Sequence, residues 1–158
     1  MHCQFLCNKH RALLSERLDA TAPIWSSWMR QGEACRATAN FEESIQYFGC
    51  ALDLSTLLVE RYTAHGELDD QRHIERLLAS GLALASAFAR CGHLALRREL
   101  LDKMSDLHYR EQVRTPLLAD RLPSWDSQNV LALDGYLQQY SSACLEQAAA
   151  EGRGASIN

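Results

Sequence analysis

The chain has 158 residues, with 16 basic and 20 acidic side chains, a formal charge of −4 and 47% apolar residues. That length makes one domain able to bury roughly 70% of its unfolded surface, and the composition excludes disorder as the main state. The acidic balance argues against a nucleic-acid binder, whose footprint is a basic excess.

Residues Met1 to His10 show no apolar run of signal-peptide length and no small-residue cleavage site. No stretch approaches the ~20 apolar residues that cross a bilayer. The six cysteines, Cys3, Cys7, Cys35, Cys50, Cys91 and Cys144, are dispersed in a chain too long for a typical disulfide scaffold. They read as reduced thiols serving as small core residues in a cytoplasmic protein without a membrane segment.

No run alternates like a strand between hairpin turns, so the expectation is an all-α bundle of about six antiparallel helices. The first is predicted from Cys3 to Asp19, with Cys3, Leu6, Cys7, His10, Leu14 and Leu18 on its inner face. Thr21-Ala22-Pro23 breaks it, because proline disfavours helix in the residue before it. The second runs from Ile24 to Thr38, with Trp25, Trp28, Gly32 and Cys35 on one stripe. Asn40 then caps a third helix from Phe41 to Ala64, with Glu43 three residues on as in a capping box. This helix carries two stripes, one through Ile45, Phe48 and Leu52 and one through Ala51, Leu54 and Leu58. Packing on two sides is therefore expected. His65-Gly66 ends it.

A fourth helix is predicted from Asp69 to Arg90, with Ile74, Leu77, Leu78, Gly81, Leu84, Ala85 and Phe88 inward and Gly92 closing it. The fifth runs from His93 to Val113, with Leu96, Leu100, Leu101, Met104 and Leu107 inward. Glu99 with Lys103 and Asp106 with Arg110 make i,i+4 pairs on its outer face, acid before base. Residues 115–124 read as a loop and Asp126 to Ala150 as a sixth helix. The domain thus spans 1–150, and 151–158 form a frayed tail.

The segment Trp28 to Cys35, followed by Asn40 to Phe48 and Cys50 to Leu54, carries a pattern of its own. Trp28, Gly32, Ser44, Phe48 and Ala51 fall where tetratricopeptide (TPR) repeats place a tryptophan, small residues and an aromatic that lock two helices together, and the chain resembles that family there. Phe41 matches the aromatic that opens the second helix, while Thr56 stands near the place of the family proline. A weaker copy sets Ala85 at the place of Gly32 and Leu101 at that of Phe48, with Arg97 where a small residue belongs. Its offset of 53 residues exceeds the roughly 34 of a standard repeat. The resemblance covers Ile24 to Arg114 and implies elongated hairpins, not a regular array.

Chemistry-bearing clusters are sparse. Cys3, Cys7 and His10, at i, i+4 and i+7, offer zinc-type donors, although the same positions form the expected core face of the first helix. Cys91 beside His93 suggests a thiolate pair, but both flank Gly92 at a helix end, which a turn explains. No nucleophile elbow, phosphate-binding glycine loop or His-Glu metal motif is present, so no enzyme and no cofactor are expected. Trp125, at a loop end, reads equally as packed or as a contact residue.

The TPR resemblance implies a non-enzymatic module binding a protein or peptide along the first helices of each hairpin. On the family pattern that face carries Ser26, Met29, Glu33 and Arg36 in the first copy, and Ala79, Leu82, Ser86 and Ala89 in the second. Family members that clamp C-terminal carboxylates use lysine, arginine and asparagine there, and this chain offers only Arg36. The expected occupant is therefore an apolar segment or a partner helix. A small secretion-type chaperone and a metal- or redox-responsive protein are the alternatives, and a homodimer is compatible with each.

Overall fold

A computed structural model of the chain describes residues 4–64, 71–114 and 150. The described elements are α1 (Asn8–Glu16), a single 3-10 turn (Leu18–Ala20), α2 (Thr21–Ala37), α3 (Phe41–Ala64), α4 (Gln71–Arg90) and α5 (Leu94–Arg114), with no strand among the described residues. The fold is all-helical, as expected. The expected sixth helix (apart from Ala150), the 115–124 loop with Trp125, and the tail lie outside the described residues. So do the caps at His65-Gly66 and Asp69, and the side chains of Leu107 and Arg110.

Two corrections concern the N-terminal third. The first helix starts at Asn8, not Cys3, because the backbone N–H groups of Phe5 and Leu6 both donate to Asp53 Oδ2 on α3, at 2.7 and 2.8 Å. A helical turn there would aim those donors along its own axis; the carboxylate captures them in an extended segment instead. Leu6 is buried from that segment, the Phe5 ring lies over Gly49, and Cys7 and His10 are exposed instead of facing the core. The second helix starts at Thr21, so Pro23 lies inside its first turn and does not precede it. Proline is tolerated there because a first-turn N–H has no intrahelical partner to lose.

The helices pack in sequence, α2 on α3, α3 on α4 and α4 on α5. In the first hairpin Gly32 faces the Phe48 ring, and in the second Gly81 faces the Met104 thioether. Each pair is nearly equidistant from its turn, so each hairpin is antiparallel. As its two stripes predict, α3 is covered on two sides, with Phe48, Ala51, Leu54 and Leu58 buried between α2 and α4.

The deepest element is α4. Every residue from Arg76 to Phe88 is buried, so the single predicted stripe understates it. A helix apolar all round belongs in a core, and α4 meets that requirement with five alanines, a glycine and two serines among its leucines. Its buried Ser80 is satisfied on both sides. Ser80 Oγ donates to the Arg76 carbonyl at 2.7 Å and accepts the Trp25 indole N–H at 2.7 Å. The Arg76 guanidinium lies 5.8 Å from the Trp25 ring centre, a cation–π distance.

Both hairpin turns have the same construction. At the first, Ala39 N–H donates to the Arg36 carbonyl and Asn40 N–H to the Cys35 carbonyl. At the second, Gly92 N–H donates to Ala89 and His93 N–H to Phe88. This is the Schellman closure, with the central residue left-handed: φ is 60° at Ala39 and 76° at Gly92. The next residue, Asn40 or His93, then accepts the first N–H bond of the following helix, from Ser44 or Arg97. The turns recur 53 residues apart, but the close contact does not repeat at that offset: Gly81 and Met104 meet where the pattern expects Ala85 and Leu101. The expected capping box does not form: the Asn40 side-chain amide donates to the Glu43 carboxylate, and the Asn40 backbone N–H goes to the Cys35 carbonyl.

Candidate functional site

Where α3 and α5 flank α4, a cavity of about 510 Å³ opens. Leu77, Leu84 and Phe88 of α4 form its floor. One wall is α3 from Leu52 to Glu60, the other α5 from Leu96 to Met104, and Gln4 and Phe5 of the N-terminal segment close one end. Each wall runs about 12 Å, or just over two helical turns. The groove exists because α3 and α5 each pack on α4 while their mutual contact is slight, so residues such as Leu52, Val59, Leu96 and Leu100 are only partly covered.

Charge decorates its rim. Arg11 Nη2 pairs with Glu60 Oε2 at 3.3 Å, and Lys103 Nζ with Glu99 Oε1 at 2.8 Å. The Lys103 hydrogen bond and charge lower the Glu99 carboxyl below the usual carboxylate range. The predicted i,i+4 pair is thus formed; it borders the groove. Asp53, occupied by the two N-terminal amides, anchors the segment that ends the groove.

None of the eight residues assigned to a binding face from the repeat pattern lines this cavity. Met29 and Ala79 are 0% exposed, Leu82 is 5%, and Ser26 and Ser86 are buried as well. The pattern gives these α4 residues an outer face, but in the structure Ala79, Leu82 and Ser86 are buried and lie away from the cavity. Glu33 and Arg36 are half-buried and bonded to each other at 2.8 Å, and Ala89 is half-buried beside the second turn. The groove lies on the α3/α5 side instead. Sequence reasoning had placed Leu52, Leu96 and Leu100 inward; their partial exposure depends on the spacing of two helices that no local pattern encodes.

A second cluster sits where the start of α3 meets the α4–α5 turn. Glu42, Cys91 and His93 each present one donor atom, all within 4.8 Å of one another. His93 Nε2 is 3.3 Å from Glu42 Oε1. The His93 ring meets Phe88 edge-on at 6.2 Å, and the Arg90 guanidinium stands 5.9 Å from the Phe41 ring centre. Burial, then the Glu42 charge and a hydrogen bond to it, push the Cys91 thiol up. Burial and Glu43 do the same at Cys35, and burial and Asp53 at Cys50. An activated nucleophile needs a lowered thiol pKa, so none of these three is poised as one. At the N-terminus Cys7 Sγ lies 3.2 Å from His10 Nδ1 on the exposed side of α1, and Cys3 is outside the described residues.

No helix among the described residues is long and apolar enough to cross a membrane. No known protein family, curated protein or solved structure matches this chain.

Proposed function

We propose that the protein is a non-enzymatic interaction module that holds an apolar segment of a protein partner, in helical form, along the α3/α5 groove. The observation that carries this reading is the groove itself, a trough about two turns long with a leucine and phenylalanine floor and an ion pair on each bank. A helix-in-groove contact needs an apolar floor for residues at i, i+3 and i+4 and a polar rim that fixes direction. The TPR-like reading of the first hairpin belongs to the same proposal, and the close approach of Gly32 to Phe48 supports it. An adaptor, scaffold or chaperone role each follows from such a site.

The test is affinity capture from native lysate with wild-type protein and a Val59→Glu/Leu96→Glu variant. Both positions are partly exposed groove walls, unlike the enclosed Met29 and Leu82, and the variant's fold is checked by circular dichroism before capture. One partner recovered by the wild type and lost by the folded variant supports the reading. A partner retained by the variant, or recovery of the chain itself alone, overturns it.

A further inference from the structure

The α4–α5 turn does more than reverse the chain. Gly92, in the left-handed conformation, sets Cys91 and His93 on the same side of the turn, two residues apart. Apart from its two chain neighbours, nothing approaches within 4 Å of the place where a Cβ would stand on Gly92, so no third element crowds the turn there. The first turn of α3 brings Glu42 to the same point from a different hairpin.

We propose that Cys91, His93 and Glu42 form a binding site for a zinc-class divalent cation that staples the two hairpins together at this end of the bundle. Thiolate, imidazole and carboxylate together are zinc donors, whereas magnesium and calcium take oxygen. The geometry is close to what the ion needs. At metal–ligand distances of about 2.0 Å, two tetrahedral nitrogen or oxygen donors stand about 3.3 Å apart. The His93 Nε2 to Glu42 Oε1 separation is already 3.3 Å. The sulfur has to move by little more than about 1 Å to complete the set. Two anionic donors balance the dication, with neutral His93 as the third and a water in the remaining position. On binding, the Cys91 thiol releases its proton to solvent. The carboxylate that disfavours a bare thiolate here then becomes its fellow ligand.

Cobalt(II) titration of the full, reduced chain tests this, read by the thiolate-to-cobalt charge-transfer band and by thermal unfolding. One equivalent gives the band and raises the unfolding midpoint, and zinc displaces it. Cys91→Ser and His93→Ala abolish the band. Glu42→Gln weakens affinity by more than the roughly 10–100-fold that loss of an outer-shell partner costs. Cys7→Ser/His10→Ala, which removes the exposed N-terminal pair, leaves band and affinity unchanged. The absence of a band, its survival in Cys91→Ser, or its loss in the N-terminal variant overturns the proposal. His93 and Glu42 are exposed, so if Cys91→Ser fails to fold, His93→Ala and Glu42→Gln decide.

Discussion

The two hairpins close with the same turn and are locked by the same kind of contact, yet they are built from different residues. The first uses alanine in the left-handed position and a rigid aromatic ring over its glycine. The second uses glycine in that position and a flexible thioether over its glycine. The first has therefore accepted backbone strain and fixed packing, while the second has relaxed its backbone and left its packing adaptable. The rigid hairpin carries the N-terminal segment on Asp53. The adaptable one supplies a groove wall and the Cys91–His93 turn.

The largest expected effect tests the packing half of this contrast. A Cβ on Gly32 meets the fully buried Phe48 ring at 2.5 Å, and a ring enclosed on all sides cannot turn away. Gly32→Ala is expected to lose about 3 kcal/mol in urea unfolding, the upper end of overpacking costs. Gly81→Ala meets the Met104 thioether, which is buried but has three rotatable bonds to adjust, and is expected to cost less than Gly32→Ala. Equal losses would dissolve the distinction. Next comes the strap on the rigid hairpin: Asp53→Ala leaves two amide donors without their carboxylate and costs about 2 kcal/mol. Amide exchange at Phe5 and Leu6 should speed up far more than exchange in α4.

The backbone half predicts opposite signs at equivalent positions. Ala39→Gly removes the left-handed penalty and gains up to about 1 kcal/mol; Gly92→Ala loses about the same. Nothing crowds Gly92, so its change reports backbone strain alone. A shared sign would show that the two turns are not equivalent.

The contrast also explains what was legible in the sequence. The pairing of Gly32 with Phe48 could be read from the resemblance to a repeat family that locks a small residue against an aromatic. The two-sided burial of α3 was legible from its two apolar stripes; the second copy was not, since Gly81 and Met104 meet in place of Ala85 and Leu101. The start of α1 could not, because its controlling group, Asp53, lies 47 and 48 residues beyond the amides it binds. The expected binding face and the observed cavity differ for a related reason. Ala79, Leu82 and Ser86 look like a small, mildly apolar outer face only while α4 is given one buried stripe. Its enclosure is decided by neighbours from the rest of the chain. Glu42 likewise joins Cys91 and His93 only across 49 and 51 residues of sequence, so spacing alone left those two as a turn.

The smallest expected effect concerns the groove bank. Lys103 lowers the Glu99 carboxyl, so the folded state favours the ionised acid. A depressed carboxylate contributes stability above its unfolded pKa and loses that contribution as pH falls through the folded value. The dependence therefore lies on the acid side, below the ordinary glutamate value of about 4.3. Both side chains remain substantially exposed, at 54% for Lys103 and 38% for Glu99, so solvent screens the pair. Lys103→Ala is accordingly expected to leave the neutral-pH urea midpoint within error while raising the Glu99 pKa, read by carboxyl NMR titration. A clear loss of stability at neutral pH would mean that the ion pair holds the α5 bank in place. The groove wall would then be set by charge, and salt would open it.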